Sequence, residues 1–134
     1  MKTAGYSGTP LHKKLGVKAG QRVWFSGVPQ GYEAELGKAG AYERVKKLDH
    51  IDFAHVFTKS RSTLRTEIPK LRAALQPAGM LWISWPKKSS GVETDLDENI
   101  VREVGLKAGL VDVKVCAVDE IWSGLKFVIR LKDR

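Results

Sequence analysis

Short apolar runs alternate with amphipathic stretches along the chain, an order that is typical of an α/β domain. Buried strands are predicted at 21–26, 52–58 and 81–85, because each run is apolar or β-branched and is too short for a helix. Two further strands are predicted at 111–118 and 125–131. The link between these last two is too short for a helical crossover, so we expect an antiparallel hairpin.

Helices are predicted between the strands from capping residues and apolar spacing. A short helix should cover 32–36 and end at Gly37, and a longer one should begin after Ser60 or Ser62. Pro69 lies inside this second helix and should kink or restart it. The apolar face of the second helix is expected at Leu64, Ile68, Leu71 and Leu75.

The remaining elements are a third helix, an ambiguous stretch and an N-terminal arm. The third helix is predicted over 96–107, where Asp95 and Glu98 have the spacing of a capping box. The stretch 42–48 fits either a helical face or a short, exposed edge strand. Residues 1–16 hold several turn-forming residues without periodicity, so we expect an extended arm over the domain that ends in a short basic turn.

Composition and length limit the classes of protein that the chain can belong to. With 134 residues, it has the length of one domain, 1–134, and its 43% hydrophobic content is ordinary for a soluble protein. There is neither an apolar run of about 18–20 residues nor a signal-peptide core, so a cytoplasmic protein without a membrane partner is expected. The single cysteine, Cys116, excludes an internal disulfide, and no zinc-binding spacing exists, so no metal is expected.

Charge is distributed unevenly, with a net charge of +8. Residues 1–30 contain no acidic residue, 59–72 are basic apart from Glu67, and the acidic residues gather at 93–103. Such asymmetry permits binding to nucleic acid. It is equally typical of solvated polar faces, and 59–72 lacks the exposed aromatic residues that single-strand binders use.

Three segments carry a family resemblance. VKAGQRVWFSGVPQGY resembles the strand and glycine-rich loop that open the class I methyltransferase fold, LRAALQPAGMLWIS resembles its helix, turn and fifth strand, and EVGLKAGLVDVKVCAVDEIWSGLKFVIR resembles its closing helix and hairpin. The resemblance implies a Rossmann-like three-layer sandwich: a mostly parallel sheet with a C-terminal antiparallel hairpin. It also implies S-adenosylmethionine as a cofactor.

A narrower resemblance covers the whole chain. The strings AGYSGTPL, KKLG, PAGMLWISWPKKSSG and VREVGLKAGLVDVKVCAVDEIWSGLKFVIR are similar to a family of small bacterial proteins called domain of unknown function 3052. That family has no assigned activity, so this resemblance implies no particular chemistry.

The cofactor-binding parts depart from the methyltransferase pattern. A valine and a proline stand between Gly27 and Gly31, where a glycine-rich loop would let the backbone approach a ligand. An acidic residue about 20 positions further on should grip the ribose. Lysines stand there, and Asp49 is the only nearby carboxylate. The segment 27–51 is too short for two strand–helix units, so we expect a sheet shortened on the first-strand side and no cofactor.

A shortened sheet would leave the first strand, with its side chains Val23, Trp24 and Phe25, at a poorly covered edge. Exposed apolar edges promote aggregation. We therefore expect the N-terminal arm or a second subunit, as in a homodimer, to cover that edge.

The carboxyl ends of the predicted strands hold the candidate ligand-binding residues, because open parallel sheets bind ligands there. Indole faces and ammonium groups together could hold a planar anion or a phosphate. The alternative is that the tryptophans are packing residues and the lysines are solvated. The candidates are Trp85, Lys87, Lys88, Ser89, Ser90, Asp119, Glu120 and Trp122.

No catalytic residues are identified. The three histidines have no fixed spacing to acidic residues, and His55, in the middle of a strand, is expected to be a hydrogen-bonded core residue. Cys116 lies in an apolar run and is a poor nucleophile candidate. The favoured hypothesis is a non-catalytic, degenerate methyltransferase-like module that binds a partner protein or a small anionic ligand. The alternatives are a divergent S-adenosylmethionine-dependent methyltransferase and a nucleic-acid-binding protein.

Overall fold

The computed structural model describes residues 8–134, which form one six-stranded sheet with helices. The strands are β1 (Arg22–Ser26), β2 (Glu43–Arg44), β3 (Ile51–Phe57), β4 (Leu75–Pro86), β5 (Leu110–Ala117) and β6 (Trp122–Ile129). The helices are α1 (Leu11–Leu15), α2 (Tyr32–Leu36), α3 (Arg61–Ala74) and α4 (Glu98–Lys107). Short 3₁₀ turns cover Gly37–Ala39, Lys88–Ser90 and Leu131–Asp133.

The sheet has the strand order β2-β1-β3-β4-β6-β5. Strands β2, β1, β3 and β4 are parallel, and β6 lies antiparallel between β4 and β5. This arrangement confirms the predicted α/β fold with a mostly parallel sheet and a C-terminal antiparallel hairpin. Because β6 is antiparallel to both of its neighbours, β5 runs in the same direction as β4. The carboxyl ends of β4 and β5 therefore lie at the same edge of the sheet.

The N-terminal segment differs from its prediction. Residues 11–15 form helix α1 instead of continuing an extended arm, and Leu11 and Leu15 are buried. The indole N–H of Trp82 donates a hydrogen bond to the carbonyl oxygen of Leu15 at 2.8 Å. Burial of both leucines explains the helix, because their spacing places them on one face. The part of the predicted arm at 1–7 lies outside the described residues.

The first-strand side of the sheet ends in a short edge strand, which is one of the two alternatives predicted for 42–48. The ambiguous stretch contains the two-residue edge strand β2, which pairs with β1 through Arg22 and Val23. Val45 extends the pairing by donating its backbone N–H to the Val23 carbonyl at 2.8 Å. Strand β2 thus covers the first half of β1, and the cover of this edge by an arm or a second subunit stays a prediction.

Two helix boundaries show how capping residues act. Helix α4 begins at Glu98, two residues later than predicted, because the carboxylate of Asp97 accepts the backbone N–H of Ile100 at 2.8 Å. Asp95 instead accepts the backbone N–H of Arg61 at 2.8 Å, at the start of α3. Helix α3 runs from Arg61 to Ala74 with Pro69 inside it, so the predicted restart is wrong.

Apolar side chains cover both faces of the sheet and form two core clusters. One cluster lies between the sheet and helices α3 and α4, and the other lies beneath α1 and α2. Alternate residues of β4 belong to different clusters: Trp82 joins the second, whereas Ile83 and Trp85 join the first. Burial on both faces explains why β3 and β4 appear in the sequence as continuous apolar runs.

Two irregularities shape the sheet. In β4, the partners of Ile51 and Phe53 are Leu75 and Met80, so extra residues of β4 bulge out at this point. In β5, the partners of Phe127 and Lys126 are Asp112 and Lys114, so Val113 is an inserted residue in the edge strand. The bulge leaves Val113 54% exposed.

Gly105 allows α4 to pack closely against the sheet. A Cβ atom at this position would overlap the ring of Phe127 in β6. We expect Gly105→Ala to lower the free energy of unfolding by roughly 1–3 kcal/mol, because overpacking outweighs the better helix propensity of alanine. Urea denaturation of the two proteins measures this difference.

Gly37→Ala is the matched control for that substitution. Gly37 has helical dihedral angles, and nothing lies within 4 Å of a Cβ placed there. Alanine at this position should leave the stability unchanged or raise it by about 0.4–1 kcal/mol. Equal effects of the two substitutions would contradict the tight packing of α4 on β6.

Candidate functional site

The loop after β1 keeps the two glycines of the predicted cofactor loop in conformations that favour glycine. Gly27 has φ 68° and Gly31 has φ 85°. A Cβ at Gly27 would overlap the carbonyl oxygen of Phe57, because the carboxyl ends of β1 and β3 approach closely here. Between the glycines, Val28 and Pro29 are half-buried, and α2 begins directly after Gly31. The loop therefore keeps its turn geometry despite the two inserted side chains.

The neighbouring edge of the sheet carries a cation where the resemblance implies a carboxylate. Arg44, the last residue of β2, forms an ion pair with Glu33 of α2 at 3.0 Å. Its guanidinium also lies 5.6 Å from the centre of the Phe25 ring, within the range of a cation–π contact. The carboxylate beside this loop is therefore Glu33, and it is already paired.

Other carboxylates near β1 point away from the loop. Glu43 belongs to β2, but its side chain pairs with Arg22 at 3.2 Å, at the start of β1. Arg22 also donates hydrogen bonds to the carbonyl oxygens of Asp49 and His50. These residues all lie at the amino end of β1 and β3, opposite the glycine loop. The sequence analysis named only Asp49 as a nearby carboxylate and did not consider Glu43.

The two candidate tryptophans do not converge on one site. Trp85 is buried and belongs to the core between the sheet and helices α3 and α4. Trp122 is half-buried, packs on the opposite core and meets the Phe57 ring edge-on, with 5.2 Å between the ring centres. They lie on opposite faces of the sheet, so a ligand cannot stack between them.

The structure does bring the two candidate loops together. Pro86 pairs with Trp122, and the backbone N–H of Lys87 donates to the carbonyl oxygen of Ile121 at 2.7 Å. Among the polar candidates of the rim, Lys88, Ser89 and Glu120 are exposed, whereas Lys87, Ser90 and Asp119 are half-buried.

Two of these polar candidates shape their own loops. The Ser90 hydroxyl donates to the Lys87 carbonyl at 2.6 Å and accepts the backbone N–H of Val92 at 3.1 Å. Asp119 accepts the backbone N–H groups of Ile121 and Trp122, both at 2.8 Å. The side chains of Ser90 and Asp119 therefore stabilise their own turns. The candidates left to contact a ligand are Lys87, Lys88, Ser89 and Glu120.

A cleft beside this rim has an acidic wall. It has a volume of about 480 Å³ and runs from Pro86 and Lys88 along the segment that leads to α4. Three carboxylates line it, and two of these already cap helices α3 and α4. The third, Glu93, is exposed. With Lys88 at one end and these carboxylates along the other side, the lining of the cleft has mixed charge.

A chain of hydrogen bonds crosses the second core. The Tyr32 hydroxyl lies 2.6 Å from Nδ1 of His55, and Nε2 of His55 lies 2.7 Å from the Ser84 hydroxyl. All three residues are fully buried. A neutral imidazole has one donor and one acceptor nitrogen, so it can serve both hydroxyls. His55 is thus the hydrogen-bonded core residue that the sequence predicted.

The electrostatics of the buried groups suit a structural role. Burial lowers the pKa of His55 well below its ordinary value, and burial is also the main cause that raises the pKa of Tyr32 well above its own. Cys116 is half-buried, and burial raises the pKa of its thiol against the opposing effect of Lys14 and Lys114. These groups stay uncharged at neutral pH, and none of them is poised as a nucleophile.

Two features are absent from residues 8–134. No helix in this part of the chain is long and apolar enough to cross a bilayer. Within the same range, no three histidine, cysteine or acidic side chains are grouped so that they could hold a metal ion.

Solved structures of known proteins show the same architecture. A SAM-dependent methyltransferase from Aquifex aeolicus matches with a TM-score of 0.58 and 16% identity, over 88% of this chain and 87% of its own. The methyltransferase CalO1 of calicheamicin biosynthesis, with bound SAH, matches with a TM-score of 0.67 and 12% identity, over 90% of this chain and 52% of its own. Magnesium protoporphyrin IX methyltransferase from Synechocystis PCC 6803, also with bound SAH, matches with a TM-score of 0.57 and 10% identity, over 84% and 75%.

The chain has a methyltransferase-like Rossmann fold. No family model matches it, so the resemblance to domain of unknown function 3052 stays a prediction. No curated protein matches either. Open parallel sheets bind ligands at the carboxyl ends of their strands, so the residues found there are the candidates.

The buried histidine makes stability depend on pH in a defined direction. His55 is neutral in the folded protein, whereas in the unfolded chain it takes up a proton below about pH 6.5. The unfolded state then binds more protons, so stability is present above this pH and is lost as the pH falls. We expect the free energy of unfolding to fall by up to about 1.4 kcal/mol per pH unit from this group.

Denaturant titrations between about pH 7 and pH 5 measure this effect. His55→Gln should remove this part of the pH dependence, and it should also cost about 1–3 kcal/mol at neutral pH because a buried hydroxyl loses its partner. The control is His50→Asn at an exposed histidine with φ 49°, a conformation that asparagine tolerates. If the His55 variant keeps the wild-type pH slope, the histidine is not the cause.

Proposed function

We propose that the protein is a non-catalytic methyltransferase-like module that binds a partner protein or a small anionic ligand without transferring a methyl group. The observation that carries the proposal is the ion pair between Arg44 and Glu33 beside the glycine loop. The methyltransferase resemblance implies a carboxylate on β2 at this place, to accept hydrogen bonds from ribose hydroxyls. A guanidinium has only donors and cannot replace a carboxylate in that role.

The geometry around the pair strengthens the argument. Glu33 could accept hydrogen bonds from a ribose only by giving up its contact with Arg44. The guanidinium would then keep its contact with the Phe25 ring beside the loop but lose its charged partner. Both side chains are exposed, so the ion pair itself contributes at most about 1 kcal/mol. The larger obstacle is that Arg44 offers only donors where the ribose hydroxyls need an acceptor.

The polar rim supports the binding role. Lys88, Ser89 and Glu120 are exposed at the joined ends of β4 and β5, and Lys87 is half-buried beside them. Both loops are fixed by internal hydrogen bonds, so these side chains are presented on an ordered backbone. An ordered polar rim of mixed charge suits recognition of a protein surface, and the lysine pair suits a small anion.

A divergent S-adenosylmethionine-dependent methyltransferase is the second candidate. Two observations favour it: Gly27 and Gly31 keep left-handed backbone conformations, and the solved relatives described above include enzymes with bound SAH. In this case S-adenosylmethionine would lie at the glycine loop, and Arg44 would have to move away from Glu33.

Titration with S-adenosylmethionine and its demethylated product separates the two candidates. A ligand present at about 100 times its dissociation constant stabilises a protein by about 2.7 kcal/mol, which would raise the melting temperature by roughly 10 °C. We expect no rise with either compound and no heat in a calorimetric titration.

An active SAM-dependent methyltransferase, measured under the same conditions, is the control for the assay. A melting shift of several degrees with either compound, together with measurable binding heat, would contradict the proposal that the protein is non-catalytic and would favour the second candidate. In that event, Arg44→Gln should tighten binding, because Glu33 would then be free to meet the ribose.

A further inference from the structure

Lysine side chains face each other across the C-terminal hairpin. Lys114 of β5 and Lys126 of β6 are directly paired in the antiparallel register. Like charges placed directly opposite each other on neighbouring strands destabilise a sheet. The Lys114 ammonium reaches the carbonyl oxygen of Lys14 at 3.1 Å, at the end of α1, and this contact brings the N-terminal segment against the hairpin.

A third lysine joins this pair from the N-terminal segment. Burial, then the charges of Lys114 and Lys18, lower the pKa of Lys126. Lys126 is half-buried and stands next to the buried indole of Trp82 in the sheet. We call Lys18, Lys114 and Lys126 together the lysine face.

Within residues 8–134, no carboxylate pairs with the lysine face. The first acidic residue of the chain is Glu33, so residues 1–32, which include those outside the described range, can supply none. In β5 and β6 the only acidic residue is Asp112, and it pairs with Arg102 of α4 at 2.9 Å. Among the ion pairs of the described residues, none involves a lysine of this face. The positive charge is therefore concentrated without an internal counterion, at a cost that an external anion would relieve.

We propose that the lysine face binds the phosphate backbone of nucleic acid, independently of base sequence. Lysine ammonium groups act as point charges toward phosphates and contribute affinity more than sequence specificity. The inference goes beyond the proposed function, because it concerns a face made by α1 and the hairpin instead of the strand-end rim. It also accounts for the acid-free N-terminal segment, which the binding rim does not use.

Lysine content favours nucleic acid over an acidic protein as the partner. Protein–protein interfaces are depleted in lysine and enriched in aromatic residues and arginine. Every charged group of this face is a lysine, and the neighbouring aromatic side chain, Trp82, is fully buried. The exposed apolar neighbours of Lys114, Val113 and Val115, are small, so the face lacks the aromatic and arginine anchors that are typical of a protein interface.

Fluorescence anisotropy with a labelled DNA duplex of about 20 base pairs tests the proposal at two salt concentrations. Three phosphate contacts predict a slope of about −2.7 for the logarithm of the binding constant against that of the salt concentration. Affinity should then fall about 40-fold between about 50 mM and about 200 mM KCl. For the variant Lys114→Gln/Lys126→Gln, the fall should be only about 3- to 4-fold.

The matched control is Lys46→Gln/Lys47→Gln on the opposite edge of the sheet. It removes the same two charges from the net charge of +8 and should keep the wild-type slope. If the two double variants behave alike, only the net charge matters and the proposal is overturned. If the hairpin variant does not fold, Lys18→Gln/Lys126→Gln tests the same face.

Two further measurements test whether the partner is nucleic acid and whether its binding is independent of the proposed function. Polyglutamate should compete far less well than unlabelled duplex, and equal competition would overturn the assignment in favour of an acidic protein surface. Absence of duplex binding at about 50 mM KCl would also overturn it. Adding S-adenosylmethionine to the anisotropy titration should leave DNA binding unchanged. A result that contradicts the proposed function would therefore not contradict DNA binding by the lysine face.

Discussion

The structure depends on the burial of β3 and β4 on both faces and along both edges. Every residue from Leu81 to Pro86 is buried, and β4 hydrogen-bonds to β3 on one side and to β6 on the other. A strand in this position has no water to satisfy its polar side chains. The contacts of His55 with Tyr32 and Ser84 meet this requirement, and so does the hydrogen bond from the Trp82 indole to Leu15.

The same constraint decides where function can lie. Side chains that point from the central strands belong to the two cores, so Trp85 is unavailable to a ligand although it stands next to the rim in sequence. Ligand contacts are left to groups beyond the strand ends, such as Lys88 and Ser89, and to the surfaces that α1 and the hairpin create. In this chain those surfaces are positively charged, whereas the segment before α4 is acidic.

Elements with an apolar pattern could be predicted from the sequence, and elements held by distant contacts could not. The strands β1, β3 and β6 lie close to their predicted positions because burial imposes their patterns. Strand β5 also lies close to its predicted position, although Leu110 is its only buried residue. Strand β2 consists of two exposed charged residues and has no pattern of its own. Asp95 and Asp97 are equally good caps in sequence, and only the packing of α3 against α4 assigns one to each helix.

The candidate site was less predictable for the same reason. The sequence suggested the joined loops at the ends of β4 and β5, since topology alone brings them together. The pairing of Arg44 with Glu33 connects β2 to α2 across eleven positions, which matches no local spacing rule. The sequence also could not show that the two tryptophans face opposite sides, because that depends on the register between β4 and β6.

The bulge in β5 has a further consequence, for assembly. Edge strands invite addition of strands from other chains, and here the inserted residue Val113 interrupts the regular row of backbone hydrogen-bonding groups. Growth of an open-ended sheet is thereby disfavoured, although Val113 and Val115 are exposed.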